Sequence, residues 1–123
     1  MARRFDRTVR VGDQMQRELT DLIRSELKDA PVRLEMVSIT EVRVSRDFGH
    51  ARVYVTTLVD EERDAVVEAL QHAAPFLRKL LGRRMRLRTI PQLHFQYDDT
   101  MEKGNRLAHL IDEAIASDRD GDD

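Results

Sequence analysis

Hydrophobic positions near the start of the chain recur at intervals of three and four. Val11, Met15, Leu19, Leu22, Ile23 and Leu27 make one stripe from about Thr8 to Lys28, with Asp13, Gln14, Arg17, Asp21 and Arg24 opposite. That period predicts an amphipathic helix, and Ala30-Pro31 ends it because proline lacks the donor and restricts its predecessor. The period then changes to two. Met36 to Ser45 is rich in Val, Ile and Thr, but its alternation slips: Val37 and Ile39 share one parity, Val42 and Val44 the other. A strand with such a slip needs a bulge or bend near Thr40-Glu41, or cover on both sides. After the turn residues Arg46-Asp47-Phe48-Gly49-His50, Ala51, Val53 and Val55 alternate with Arg52, Tyr54 and Thr56, which predicts a β-hairpin.

Asp60-Glu61-Glu62 predicts the entry of a further helix, with Asp60 as N-cap and Val66, Val67, Leu70 and Ala73 on the buried side. Pro75 predicts two helical pieces with a kink or break at Ala74-Pro75, the second over Phe76–Leu81 with Gly82 as its C-cap. Met85 to Tyr97 is again extended, with Pro91 marking a bulge or a sheet edge. Asp99 and Glu102 form a capping-box pattern before a helix packing Leu107, Leu110, Ile111, Ala114 and Ile115. The predicted order is α-β-β-α-α-β-α, an α+β domain with a three-stranded sheet and helices on one face. Residues 1–116 read as a single domain and 117–123 as a short acidic disordered tail.

Composition narrows the chemistry. The 123 residues hold no Cys, which excludes disulfides, thiolate metal sites and Cys nucleophiles and agrees with a reducing, cytoplasmic setting. The charged opening Met-Ala-Arg-Arg-Phe-Asp-Arg is unlike a signal peptide, and no apolar run approaches a membrane span, so no membrane partner is expected. The five glycines are scattered, the four histidines lie far apart, and no serine sits in a nucleophile elbow. Asp118, Asp120 and Asp122 imitate a calcium loop without its closing Glu, and Asp47 with His50 reads as turn chemistry rather than an acid/base pair. No catalytic residue, cofactor or metal is expected, and the chain does not read as an enzyme.

Charge is where the pattern becomes informative. The net value of -2 conceals a stretch from Gln71 to Tyr97 with no Asp or Glu and six Arg or Lys, while Asp112 to Asp123 holds six acids against one Arg. Arg78, Lys79, Arg83, Arg84, Arg86 and Arg88 fall within eleven residues. Arg78 and Lys79 would leave the outer side of the short helix, and Arg84, Arg86 and Arg88 would share one face of the following strand. Guanidinium groups suit phosphate because they are always charged and donate in a fixed fork. Arg3, Arg4, Arg7 and Arg10 add a second cluster, with Arg46 and Arg52 in the hairpin as further candidates. Aromatics make up 5% of the chain, so shape and phosphate contact should outweigh base stacking. The alternative is a basic-faced interaction module meeting an acidic protein, conceivably another copy's tail.

Three segments carry a family resemblance. Ser45-Arg46-Asp47-Phe48-Gly49-His50-Ala51-Arg52-Val53-Tyr54-Val55, Leu77-Arg78-Lys79-Leu80-Leu81-Gly82 with Met85-Arg86-Leu87-Arg88, and Pro91-Gln92-Leu93-His94-Phe95-Gln96-Tyr97-Asp98-Asp99-Thr100 resemble the bacterial ribosome-binding factor A family, as does the first helix from Arg10 to Ile23. The resemblance covers about Arg3 to Ile115. It implies a type II KH-like domain and a cold-shock-associated, non-catalytic assembly factor. Such a factor binds the small (30S) ribosomal subunit and assists 5′-end processing of the 16S rRNA precursor. A monomer is expected. In place of the GXXG loop of typical KH domains, the family commonly has an Ala-x-Gly kink. Here the stretch reads Ala73-Ala74-Pro75, and since proline removes a donor and fixes φ, phosphate contact there would shift to Arg78 and Lys79.

Overall fold

The computed structural model describes residues 2–100, with side chains described from Arg7 onward. Helix α1 spans Ala2–Glu26, strands β1 and β2 span Val37–Val44 and His50–Thr57, helix α2 spans Arg63–Arg84, and strand β3 spans Gln92–Tyr97. Single 3-10 turns at Leu34–Met36 and Asp60–Glu62 lead into β1 and α2. The helix predicted after Asp99 and the acidic tail lie outside the described residues.

The sheet order is β1-β2-β3, with β1 and β2 antiparallel and β2 and β3 parallel. A parallel pair needs a crossover, and α2 is that crossover. Both helices lie on one face, giving the α+β, type II KH-like arrangement expected from the sequence. From α1, Met15, Leu19, Leu22 and Ile23 are buried; from α2, Val66, Leu70, Ala74, Leu77 and Leu81; from the sheet, Val37, Ile39, Val42, Ala51, Val53, Val55, Leu93 and Phe95. The alternation of β2 and β3 therefore leaves their other face to solvent.

The parity slip in β1 is a bulge. Ile39 pairs with Val55 and Glu41 with Tyr54, so one residue of β1 has no counterpart, and Val37, Ile39 and Val42 all reach the core. Gly12 permits close approach of α1 to this strand: a Cβ there would lie 2.5 Å from the Val42 carbonyl oxygen.

Four local expectations are corrected. Of the kink or break expected at Ala74-Pro75, the break is absent, because α2 runs on through Pro75 as one helix. Proline inside a helix costs about 3 kcal/mol. Five buried side chains at spacings of four, four, three and four residues each return about 1–3 kcal/mol. Pro75 and Gln71, the residue whose carbonyl loses its partner, both lie on the exposed side. Gly82 is not a C-cap: the helix continues to Arg84, and no described glycine has a positive φ. Chain direction changes instead at buried Met85, which is extended and whose N–H donates to the Leu81 carbonyl.

Asp60 does not cap α2 either. It opens the 3-10 turn, and its carboxylate accepts from Arg63 at 3.3 Å. Lastly, no strand runs from Met85. Strand β2 begins at His50, whose partner is Gln92, so residues 85–91 extend past the end of β2 with nothing to pair against. Pro91 immediately precedes β3, an edge strand, as proline chemistry requires.

Candidate nucleic-acid interface

Strand directions decide which chain segments meet. Helix α1 runs against β1 and α2 against β3, so four features point to the same end of the molecule, with α2 stopping beside Glu18 and Asp21 and the start of α1 reaching farther out. These are the start of α1, the hairpin tip, the end of α2 and the connection into β3. Specific contacts tie them together. The Arg7 guanidinium lies 5.4 Å from the centre of the Phe48 ring. The Gly49 carbonyl accepts from the Gln92 N–H at 2.9 Å. Arg78 Nε and a terminal nitrogen both donate to the Ile90 carbonyl, at 3.0 and 2.9 Å. Phe48 turns the hairpin with φ of 59°, a left-handed conformation unusual for a large side chain.

Every sequence-predicted cation falls on these converging features. Arg3 and Arg4 lie in the first turn of α1, followed by Arg7 and Arg10; Arg46 is in the hairpin tip and Arg52 near the start of β2. Arg78, Lys79, Arg83 and Arg84 occupy the last two turns of α2, and Arg86 and Arg88 the connection to β3. The other end is acidic: Asp60, Glu61, Glu62, Asp64 and Glu68 cluster where α2 begins. Sequence-local charge segregation has become a spatial dipole, which orients an approaching polyanion.

The cations are not equivalent. Arg84 lies 3.2 Å from Glu18 and 2.5 Å from Asp21 of α1, and the hydrogen bonds it donates to the Asp21 and Glu18 carboxylates push its pKa up. It therefore tethers one helix to the other rather than presenting to a ligand. The expected strand face of Arg84, Arg86 and Arg88 does not exist. Arg84 ends a helix, whereas Arg86 and Arg88 stand out from the connection while Met85 and Leu87 turn inward.

Arg78 spends its fork on a backbone carbonyl and keeps its charge at the surface. Arg10, Arg46, Arg52, Lys79, Arg83, Arg86 and Arg88 are exposed, and among the described residues none has a carboxylate partner. Unpaired exposed guanidinium groups gathered at one end have no stabilising role of their own. They can, however, each displace a counterion from phosphate.

Asp47 belongs to the turn, as its composition suggests. Its carboxylate accepts from the Ser45 hydroxyl at 2.7 Å and the Gly49 N–H at 2.9 Å, and these bonds hold its pKa below the usual carboxylate range. Asp98 is likewise held low, by hydrogen bonds from the Thr100 and Thr40 hydroxyls. A lowered folded pKa adds stability that is complete above the unfolded value of 3.8 and is lost as pH falls through the folded value. Asp98→Asn is thus expected to melt lower than the parent at pH 7 and to converge with it toward about pH 2. A gap of the same size at both pH values would show that the ionised carboxylate is not what matters.

Sequence reasoning missed Arg43, His50 and His94. The outward parity of Arg43 and Arg52 was a usable signal, but the meeting of His50 with His94, 44 residues apart in sequence, needed the strand pairing.

Comparison with known proteins bears on the whole chain. A family model described as ribosome-binding factor A matches residues 7–111. The ribosome-binding factor A of Thioalkalivibrio sulfidiphilus is 62% identical over 120 residues, covering 97% of this chain and 92% of the relative. The crystal structure of ribosome-binding factor A from Thermus thermophilus aligns with a TM-score of 0.64 and 29% identity, covering 73% of this chain and 94% of that one. A homology model of the Thermus factor fitted into a cryo-EM map of a 30S-RbfA complex aligns with a TM-score of 0.57 and 27% identity, over 72% of this chain and 91% of that one.

Proposed function

The chain belongs to the ribosome-binding factor A family, and from that premise we propose that it is a non-catalytic assembly factor docking its cationic end on the small (30S) ribosomal subunit. In this reading it contacts the 16S rRNA and its precursor, assists late maturation and 5′-end processing, and acts as a cytoplasmic monomer. The observation that carries the reading is the gathering of exposed, unpaired Arg10, Arg46, Lys79, Arg83, Arg86 and Arg88 at one end of an otherwise acidic chain. Such a pole fits a ligand presenting many phosphates on a curved surface. The Thermus relative's placement in a 30S-RbfA complex supports the choice of ligand. Among the described residues, no helix is long and apolar enough to cross a membrane.

The pole acts by geometry and charge. The fold fixes where the backbone presents the guanidinium groups, while the exposed side chains still lose rotamer freedom on docking. Each phosphate contact releases counterions, which makes affinity fall steeply with salt. The acidic end of α2 faces away and would repel a second RNA segment, which fixes the orientation of docking. An acidic protein partner would use the same cations, so the test must separate the two.

Cosedimentation with purified small subunits is expected to retain the protein at low salt and release it as salt rises. Nuclease treatment of a cell extract is expected to abolish its co-purification with other components. Nuclease-resistant co-purification, with no binding to purified subunits, would favour the acidic protein partner and overturn the proposal.

A further inference from the structure

Turned away from both helices, the sheet carries a charge pattern that strand stability does not call for. Arg43 of β1 pairs in register with Arg52 of β2, and Arg52 with His94 of β3, so one row of basic side chains crosses all three strands. Two residues before Arg52 on the same face, His50 places its Nδ1 2.9 Å from His94 Nε2, with ring centroids 5.0 Å apart. Like charges side by side weaken a sheet.

The acids nearby are otherwise engaged. Glu41 lies 3.0 Å from Arg43, Asp47 accepts from Ser45 and Gly49, and Asp98 accepts from Thr40 and Thr100. Arg52 and His94 have no carboxylate partner among the described residues, and the Asp47 carboxylate, which is hydrogen-bonded within its own turn, acts on His50 through charge alone. Arg46 of the hairpin tip adds a further cation at the margin, and Tyr54 stands two residues beyond Arg52 on the same strand face. The core, not another charged element, lies behind this face. The basic row opens into a shallow groove of about 750 Å³.

We propose that this open sheet face is a second contact site for the sugar–phosphate backbone of single-stranded RNA, strengthened when the His50–His94 pair gains a proton. The inference rests on the RNA-binding reading above and extends it onto the sheet face beyond the helix-end cations, with Arg46 and Arg52 at the margin the two surfaces share. With both rings neutral, one imidazole N–H donates to the other's lone pair, and the bond occupies both facing nitrogens. The accepting nitrogen is occupied by that bond, so an added proton goes to the outer nitrogen of the donor ring, which still has a free lone pair. The facing bond persists as an imidazolium–imidazole bond, both outer nitrogens then carry N–H groups, and a positive charge appears beside Arg52. A phosphate oxygen can accept from those outer N–H groups. Because the rings interact, the proton belongs to the pair rather than to either residue.

The test is filter binding of the full chain to a short mixed-sequence single-stranded RNA, and separately to small subunits, at pH 6 and pH 8. Single-stranded RNA is expected to bind about tenfold more tightly at pH 6 than at pH 8. The gain is expected to vanish in His50→Ala/His94→Ala, with folding checked by circular dichroism, and to persist in His72→Ala, whose imidazole lies on α2. Should the double variant fold poorly, His94→Gln keeps a polar group on the strand and is expected to lose the gain as well. An affinity independent of pH, a gain that survives the double variant or His94→Gln, or a gain lost in His72→Ala would overturn the site. Loss of subunit binding at both pH values in the parent chain would instead overturn the broader RNA reading.

Discussion

Replacing Arg86 and Arg88 together with glutamate is expected to weaken binding to small ribosomal subunits about a hundredfold near 0.1 M salt. It is also expected to flatten the salt dependence by between one and two units of log K per log salt. Both side chains stand exposed on the connection between α2 and β3, without carboxylate partners among the described residues. Reversal therefore removes two phosphate contacts and adds two repulsions while disturbing no packing. Exposed substitutions of this kind change stability by only about 0.5 kcal/mol, so the melting temperature is expected to stay nearly constant.

Arg84→Ala is the informative control. Its guanidinium is engaged by Glu18 and Asp21, so its removal is expected to lower the melting temperature while leaving the salt slope intact. If the glutamate pair binds like the parent, or if Arg84→Ala proves the more damaging to binding, the cationic end is not the docking surface.

Gly12→Ala is expected to destabilise the fold by about 2–3 kcal/mol, against the usual rule for helices. Alanine is favoured over glycine in a helix interior by about 1 kcal/mol, so intrinsic preference alone predicts the opposite sign. Here the new methyl would lie 2.5 Å from the Val42 carbonyl oxygen. That oxygen is backbone of β1, a strand paired along its length with β2, and it cannot swing aside as a flexible side chain could. Helix α1 would have to lift from the sheet, loosening Met15 and Leu19, both fully buried. Overpacking of this sort costs about 1–3 kcal/mol or more. For a domain of this size the melting temperature should fall by roughly 10 °C or more. A melting temperature unchanged or raised in Gly12→Ala would mean that α1 sits farther from β1 than the structure places it.

The elements around these positions show how far local pattern reaches. The stripe Met15, Leu19, Leu22 and Ile23 and the alternation Ala51, Val53, Val55 are periodic, and periodicity is a direct consequence of burying one face. Even the bulge between Ile39 and Glu41 was legible, because an extra residue has to invert the parity of everything after it. Failures came where a local rule met a non-local term. Pro75 and Gly82 are helix breakers by their own chemistry, yet Leu77 and Leu81 hold α2 against the sheet through both of them. The alternation of Met85 and Leu87 was real, but nothing lies beside residues 85–91 to accept a ladder.

Alone, the order of residues determined that this is one α+β arrangement with helices on a single sheet face, that it lacks thiol chemistry, and that its cations are concentrated in an acid-free stretch. Each of those follows from composition or from spacing along a few turns. Only the tertiary structure decided which cations are available. Arg84 is bound to α1 by carboxylates more than sixty residues away, Arg78 is turned to a carbonyl, and Arg43, Arg52 and His94 form a row on the open face. Spacing along a chain reports the periodicity of one element. The neighbours of a charge depend on how separate elements pair and in which direction they run, and that is settled only when the core forms.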